Sequence, residues 1–241
     1  MACVGAVAVL VLSGCESSQS KSARLRAASQ NAAPEQGLRL GRVNPDVRVT
    51  ASTVLTDTTA KRSAAVITLH NTSRHTLSAL PLLFKLTDAT GKEIFSNDSA
   101  GASADLTTVP SLSPGGTLVW INDVIVNVAG AKGAEAKIGV GEQVKGKVPQ
   151  LRLSTVRLDS DPIDGVTAAG RVFNDSAVIQ TGLVIFAVAR RGAKIVAAGR
   201  AVVPRVKPGR KGVRFTVFFV GDPRGAKLSL AAPPVSFGGG G

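Results

Sequence analysis

The side chains that most often perform catalysis are few in this chain of 241 residues, which has two histidines, two cysteines and no tyrosine. His70 and His75 flank a predicted turn, and the nearby sequence offers no Cys or Glu to complete a metal or acid–base site. Two cysteines are too few for a disulfide scaffold or a cysteine-rich zinc site. The single tryptophan, Trp120, lies inside an apolar run and is predicted to be a core residue. We therefore predict no enzyme, no catalytic residues, no cofactor and no metal.

One acidic segment has some features of a calcium loop. Residues 159–165 read Asp-Ser-Asp-Pro-Ile-Asp-Gly, but the spacing of the acids differs by one from a calcium loop. The twelfth position, where a bidentate glutamate is needed, is Gly170. A polar turn between two strands is favoured instead, since Pro162 fixes the bend and Gly165 allows the exit.

Positive charge is concentrated in the C-terminal half. Residues 43–145 carry nine basic and nine acidic groups, whereas residues 146–241 carry fifteen basic and five acidic groups. Such an excess attracts anionic surfaces, which include phospholipid headgroups, acidic cell-wall polymers and nucleic acid. Nucleic acid is not expected, because aromatic residues that could stack on bases make up only 4% of the chain.

Six basic residues that follow one another closely in this half form the predicted anion-binding patch. They are expected near strand ends, where their charges would add up. The alternative is a solvated face that binds no ligand. The predicted patch consists of Arg190, Arg191, Arg205, Lys207, Arg210 and Lys211.

Short apolar runs separated by Asn, Gly, Pro and Ser clusters follow one another from residue 43 onward. Their alternating and β-branched residues are typical of strands, and no window after Cys15 keeps an amphipathic helical stripe over three turns. Many short strands at this spacing indicate an all-β protein built from antiparallel β-sandwiches. Strands are predicted at residues 47–55, 65–69, 80–86, 118–126, 138–140, 151–158, 166–173, 183–188, 195–203, 213–220 and 228–230.

An internal repeat divides this region into two similar parts. Residues 109–115 read Val-Pro-Ser-Leu-Ser-Pro-Gly and residues 203–209 read Val-Pro-Arg-Val-Lys-Pro-Gly. An Asn-x-Ser sequence precedes each of them, at residues 71–73 and 174–176. We expect each Asn-x-Ser to form a side-chain turn at a strand end and each Pro-Gly to form a tight turn. The predicted domains are two tandem antiparallel β-sandwiches over residues 43–146 and 147–238, joined near 145–149 and followed by a glycine tail at 239–241.

The N-terminal segment has the pattern of an export signal followed by a lipid anchor. Ala2–Leu12 is an apolar run with the length of a signal-peptide core, although no Lys or Arg precedes it, so we expect translation to begin further upstream. The run ends in Leu-Ser-Gly-Cys, which resembles the lipobox of bacterial lipoproteins. This resemblance implies that residues 1–14 are removed and that Cys15 carries two or three acyl chains, such as palmitate, which anchor the protein stably. The small and polar residues 16–42 are predicted to form a flexible tether.

The first repeat also resembles a known family. Residues 84–88 read Phe-Lys-Leu-Thr-Asp and are similar to the core of the FxLYD domain, an immunoglobulin-like module of bacterial envelope proteins, with threonine in place of the tyrosine. The resemblance implies an immunoglobulin-like fold and an envelope setting, and it supplies no catalytic residues. Matching residues in the first copy are Asn71, Phe84, Leu86, Asp88, Gly91, Leu112, Pro114 and Gly115. In the second copy they are Asn174, Phe186, Gly192, Pro208 and Gly209, while Val188 and Arg190 replace the Leu and Asp.

Together these features predict a non-catalytic lipoprotein on the extracytoplasmic face of a bacterial cell membrane, with a binding or scaffolding role. Its expected partners are the membrane, through the lipid anchor, and an anionic envelope polymer or an envelope protein. Two alternatives remain open. One is a surface adhesin or sensor that captures an anionic polymer through the basic second domain. The other is an envelope enzyme of unrecognised type.

Overall fold

β-Strands form where apolar and polar residues alternate between turn clusters, and they follow the predicted runs closely. The computed structural model describes residues 37–100, 102–126, 128, 130–161 and 165–238. The first eight strands are β1 (Val47–Asp57), β2 (Arg62–Asn71), β3 (Leu77–Thr87), β4 (Glu93–Ser96), β5 (Thr108–Leu112), β6 (Thr117–Val126), β7 (Gly133–Ile138) and β8 (Glu142–Gln143). The others are β9 (Leu151–Leu153), β10 (Arg157–Asp161), β11 (Gly165–Asn174), β12 (Gln180–Arg191), β13 (Lys194–Val206), β14 (Gly209–Gly221) and β15 (Lys227–Ala231).

The prediction of an all-β protein with antiparallel sheets is confirmed. Each strand pair in the described part of the chain is antiparallel, and the one helical element there is a 3-10 turn at Ala104–Leu106. Three strands were not predicted, the short β4 and β8 and the proline-containing β5, and β7 overlaps its predicted run at Ile138 alone. Among the described strands β5 pairs with β3 alone, and such an edge position tolerates Pro110, which has no N–H to donate.

The first copy of the repeat, residues 47–143, is built from two sheets. One sheet has the order β1-β2-β6, and β3 lies at the centre of the other, paired with β4, β5, β7 and β8. Trp120 and Phe84 are fully buried between them, and their rings meet edge to face at 5.7 Å. The indole N–H of Trp120 donates a hydrogen bond of 3.1 Å to the carbonyl of Thr108. Trp120 is therefore a core residue, as predicted.

The second copy, residues 151–231, repeats this arrangement of strands. β11 pairs with β14 on one side and with β9 and β10 on the other, as β2 pairs with β6 and β1. The order β13-β12-β15 repeats the order β5-β3-β7. In this copy residues 197–200 of β13 also pair with residues 218–221 of β14. That pairing joins the strands of the second copy into one seven-stranded sheet.

The predicted Asn-x-Ser turns are present and hold each copy together. Asn71 is fully buried, and its amide nitrogen donates to the carbonyls of His75, Leu112 and Ser113 at 2.8–3.1 Å. Its side-chain oxygen accepts the backbone N–H and the hydroxyl of Ser73. One side chain therefore ties the end of β2 to the turn that leaves β5. The same contacts recur in the second copy, from Asn174 to Val178, Val206 and Ser176.

A backbone with positive φ occurs at the same place in both copies, eight residues after each buried asparagine. Ala79 has φ 49° and Gly182 has φ 66°. Strand register places Ala79 opposite Pro110 and Gly182 opposite Pro204, where the proline has no N–H for the ladder. An alanine in this left-handed region is strained, whereas glycine adopts it without a steric cost.

Exchanging these two residue types should change stability in opposite directions. We expect Ala79→Gly to raise the free energy of unfolding by about 1 kcal/mol and Gly182→Ala to lower it by about 1 kcal/mol. A Cβ at Gly182 would meet no atom within 4 Å, so the second effect is one of backbone conformation alone. Urea unfolding of both variants measures the changes. A less stable Ala79→Gly protein would contradict the strain argument.

Phe186 does not take the place of Phe84, which corrects the predicted alignment of the two copies. Phe84 is the thirteenth residue after Asn71, whereas Phe186 is the twelfth after Asn174. Side chains alternate along a strand, so a difference of one residue reverses the face. Phe84 points into the core of the first copy, while Phe186 points away from the core of its own copy.

The apolar core crosses the boundary between the copies. Val184, Phe186 and Val188 of β12 belong to the same buried cluster as Ile67 and Trp120 of the first copy. β12 is therefore buried on both faces, and the chain from residue 36 onward forms one compact unit. Among the described strands, those before and after the predicted boundary pair only within their own copy. The shared core nevertheless argues against separate folding of the two predicted sandwiches.

The C-terminal residues close the seam between the copies. Gln180 is fully buried at the start of β12, accepts the N–H of Val235 at 2.9 Å and donates to the carbonyl of Ser236 at 2.9 Å. In the first copy, the hydroxyl of Ser111 donates to the carbonyl of Pro234 at 2.8 Å. The segment after β15 therefore contacts both copies.

Contacts at the N-terminal side of the described chain begin earlier than predicted, since Gly37 lies against the backbone of Asp98 and Leu40 lies against Gly139. The tether was expected to reach residue 42, but the carbonyl of Arg42 accepts the N–H of Val140 at 3.2 Å. Val43 then forms a bridge with Gly139. Arg42 therefore belongs to the folded unit.

Candidate anion-binding surface

The six residues of the predicted patch lie at two ends of the second copy, which corrects the prediction of a single patch. Arg190 and Arg191 end β12, beside the turn into β13. The other four, Arg205, Lys207, Arg210 and Lys211, surround the turn from β13 to β14. Ile195 pairs with Arg190, and the ten residue steps from Ile195 to Arg205 span about 33 Å of strand. Successive hairpin turns lie at opposite ends of a long strand, so closeness in sequence does not bring these groups together.

The cluster around Arg191 already has an acidic partner. Arg191 donates through Nη2 to the carbonyl of Arg224 at 2.8 Å. The guanidinium of Arg224 lies 2.8 Å from a carboxylate oxygen of Asp222. Hydrogen bonds from Arg224 lower the pKa of Asp222 to about 2, so this carboxylate is charged throughout the neutral range. Part of the positive charge at this end is therefore compensated.

A larger basic surface lies on the outward face of the sheet formed by β9, β10, β11 and β14. Ala168 and Val172 of β11 point into the core, so the alternate residues Ala169, Arg171 and Phe173 point outward. Three further arginines are paired with these outward positions. They are Arg157 opposite Ala169, Arg214 opposite Arg171, and Arg152 opposite Phe173.

Two residues of the predicted patch border the same surface. Gly209 pairs with Asn174, and Val213 pairs with Val172, so residues 210–212 of β14 lie opposite Phe173 alone. Arg210 and Lys211 therefore sit beside the arginines of β9 and β11. We define the basic face as Arg152, Arg157, Arg171, Arg210, Lys211 and Arg214, all of which are exposed.

The basic face places like charges side by side. Arg171 and Arg214 are directly opposite on neighbouring strands, an arrangement that destabilises a sheet unless an anion lies between them. Arg171 is oriented by a 2.8 Å hydrogen bond from Nη1 to the carbonyl of Gly212. Arg152 lies over the ring of Phe173, 4.3 Å from its centroid, and Nε lies 3.1 Å from a carboxylate oxygen of Asp175. That ion pair is exposed and contributes little to stability.

A buried ionic cluster that was not predicted from the sequence lies between the copies. Arg200 of β13 donates from Nε and from its backbone N–H to the carboxylate of Asp123, at 3.0 and 2.9 Å, and its Nη1 contacts the carboxylate of Asp105. Burial raises the pKa of Asp123 despite its contacts with Arg200. Burial also acts to raise the pKa of Asp105, but hydrogen bonds from Ser103 and Arg200 outweigh it, and the pKa is lowered. Because the three charged residues are far apart in sequence, only the fold brings them together.

A cleft of about 430 Å³ lies where the copies meet, and residues of both copies line it. Ala79 and Gly182, the two residues with positive φ, are on its wall, and Phe237 of the C-terminal segment also contributes. Among the described lining residues the ionisable ones are Asp105 and Glu142. Asp105 is held by Arg200, so the cleft presents one other carboxylate on a largely apolar wall.

The two histidines form hydrogen-bonding contacts with different residues. His70 Nδ1 is 3.3 Å from the hydroxyl of Thr117, and His75 Nδ1 is 2.9 Å from the amide nitrogen of Gln143. Across the residues that the structure covers, no group of three or more His, Cys, Asp or Glu side chains could hold a metal ion. The histidines are thus placed as surface hydrogen-bonding residues.

Several predicted features fall on residues outside those described. They are the signal peptide at 1–14, the lipidated Cys15, most of the tether, residues 162–164 of the acidic segment and the glycine tail at 239–241. In the described ranges, no helix is long and apolar enough to cross a membrane. Comparison of the chain with models of protein families gives no match, and comparison with curated proteins gives none either.

Proposed function

We propose that this protein is a non-catalytic, lipid-anchored component of a bacterial cell envelope that binds an anionic polymer through its basic face. The observation that carries this proposal is the grouping of six exposed cations on one end of the second copy. The carboxylate that pairs with a member of this group is Asp175, which is itself exposed. Charges grouped in this way keep their attraction for a polyanion at a Debye length of about 8 Å, at which scattered charges are screened.

The envelope setting is supported by the sequence. The resemblance of Leu-Ser-Gly-Cys to a lipobox, directly after an apolar run, supports lipidation of Cys15. No cysteine follows Cys15, as suits an oxidising compartment. The resemblance to FxLYD modules supports an immunoglobulin-like assignment of both copies. The two copies would then hold the basic face away from the membrane at the end of the tether.

The first arm of the test concerns the anchor. Cells that express the wild-type chain and the Cys15→Ala variant are separated into membrane and soluble fractions. We expect the wild type in the membrane fraction, with an acyl mass on its N-terminal peptide, and the variant in the soluble fraction. Equal partition of both chains, with no acyl mass on the wild type, would contradict lipidation.

The second arm measures binding of the soluble Cys15→Ala chain to purified anionic cell-wall polymer across a salt series. The logarithm of the binding constant should fall linearly with the logarithm of the salt concentration, because bound cations on the polymer are released. Adding Arg171→Gln and Arg214→Gln should weaken binding roughly tenfold. The matched control, Arg190→Gln with Arg191→Gln, removes the same charge at the opposite end and should leave binding nearly unchanged. Absence of binding at low salt would refute the proposal.

A further inference from the structure

The cations of the basic face recur at a regular pitch. Successive outward positions on β11, at Ala169, Arg171 and Phe173, are two residues apart, which is about 6.7 Å in a strand. Arg157 and Arg152 are paired with the first and last of these positions. A row here means the outward-facing residues that lie opposite one another on neighbouring strands. Each of these three successive rows therefore carries at least one arginine.

This pitch matches a polymer with one charge in every six backbone bonds. In an extended polypeptide three backbone bonds span 3.3–3.6 Å, so six bonds of similar length span about 7 Å. A phosphodiester chain with a three-carbon polyol between phosphates has six bonds from one phosphorus to the next. Its successive phosphates would meet successive arginine rows. Condensed polyphosphate has two bonds per repeat, so most of its charges would fall between the rows.

The side chains on the strands are suited to phosphate in particular. The four strand-borne cations that face outward in these rows are all arginines, whose planar fork binds phosphate oxygens in pairs. Arg171 and Arg152 are held in place, by the carbonyl of Gly212 and by the ring of Phe173. A phosphate between Arg171 and Arg214 would remove the repulsion of their directly opposed charges.

A single-stranded nucleic acid also has six bonds between phosphates, but the face lacks a suitable surface for its bases. Arg152 covers the ring of Phe173 at 4.3 Å, so that ring is not open for stacking. Phe218 is 39% exposed, but it lies in the same row as Asp159, whose carboxylate would repel the backbone. A polymer whose linking groups are small polyols fits this face better.

From these observations we infer that the ligand of the basic face is a linear phosphodiester polymer with three-carbon polyol links, with one phosphate on each arginine row. The inference rests on the proposed function and names the class of polyanion that this function requires. It assigns recognition to the row spacing and to the arginine fork, not to net charge alone.

The test compares four probes with the full Cys15→Ala chain at low and physiological salt. The probes are poly(glycerol phosphate), polyphosphate, oligodeoxythymidine and phosphatidylglycerol vesicles, matched in total phosphate. We expect poly(glycerol phosphate) to bind at least tenfold more tightly than each of the others. Arg171→Lys with Arg214→Lys keeps the charge and should lose roughly tenfold for poly(glycerol phosphate), with little change for polyphosphate. Arg190→Lys with Arg191→Lys serves as the matched control and should change neither.

The outcomes separate this inference from the proposed function. Equal or tighter binding of polyphosphate, oligodeoxythymidine or vesicles would overturn the polyol-phosphate assignment and leave polyanion binding in place. Unchanged affinity in the Arg171→Lys, Arg214→Lys chain would show that charge suffices and would overturn it too. Failure of every probe to bind at low salt would overturn both. Circular dichroism of each variant establishes that the fold is intact.

Discussion

Replacing Arg200 by methionine is expected to lower the free energy of unfolding by about 3–5 kcal/mol, the typical cost of removing one partner from a buried ion pair. The Arg200 side chain is 8% exposed and that of Asp123 is 6% exposed, so water cannot take over the lost contacts. Methionine keeps much of the side-chain volume and removes the charge. Without Arg200, the carboxylate of Asp123 would remain buried between the copies without its cation.

The loss should become smaller in acid. Burial raises the pKa of Asp123, so its charge disfavours the folded state at neutral pH, and this penalty disappears as the carboxyl takes up a proton below its folded pKa. The pKa of Asp105 is lowered, so its pairing with Arg200 contributes stability above the ordinary carboxyl pKa, and this contribution is lost as the pH falls through the folded value. Both changes make the difference in free energy of unfolding between the wild type and Arg200→Met smaller at low pH.

Urea unfolding at pH 7 and near pH 3 tests this expectation, with Arg205→Met as the matched control. Arg205 lies on the same strand but is exposed, so its replacement should change stability by less than about 0.5 kcal/mol. An Arg200→Met loss of equal size at both pH values would assign the effect to packing, and the ionic explanation would have to be abandoned.

Replacing either buried asparagine by alanine is expected to lower the free energy of unfolding by about 3 kcal/mol, since several buried groups lose their partners together. In Asn71→Ala the carbonyls of His75, Leu112 and Ser113 lose their shared donor. Asn174→Ala does the same in the second copy. Because the core is shared, each variant should shift one single unfolding transition for the whole protein.

The residue between Asn and Ser in each motif provides the control. Thr72→Ala and Asp175→Ala each remove one exposed contact, with the carbonyl of Asp46 and with Arg152, and should change stability by less than about 1 kcal/mol. A calorimetric trace in which each asparagine variant moves only part of the unfolding heat would show two independent domains. That result would support the sequence prediction and contradict the argument from the shared core.

Alternation and turn chemistry predicted most of this fold, because both are local properties. The Asn-x-Ser and Pro-Gly sequences also indicated that the strand arrangement occurs twice. The register of β12 could not be obtained in this way, because matching Phe186 to Phe84 by motif differs by one residue from the true spacing. Successive side chains of a strand point to opposite faces, so a difference of one residue reverses which side of β12 meets the first copy.

The basic face was missed for a different reason. Arg152, Arg157, Arg171 and Arg214 are scattered over four strands, and only antiparallel pairing brings them to neighbouring rows. Closeness in sequence favoured Arg190 and Arg205 instead, which the length of β13 separates. The one available signal was that Arg171 alternates with the apolar residues of the predicted strand 166–173 and is therefore expected to point outward. The strand pairings needed to place its neighbours are non-local.

The hydrogen bonds of Gln180 and Ser111 to the C-terminal segment have a consequence for the order of events during synthesis. Pro234, Val235 and Ser236 are synthesised after β1 to β15, yet they fasten both copies. A growing chain therefore carries all of these strands before the segment that locks them has emerged from the ribosome. The contacts of both copies can be completed only once this segment is free, so the strands stay open to handling by other factors until then.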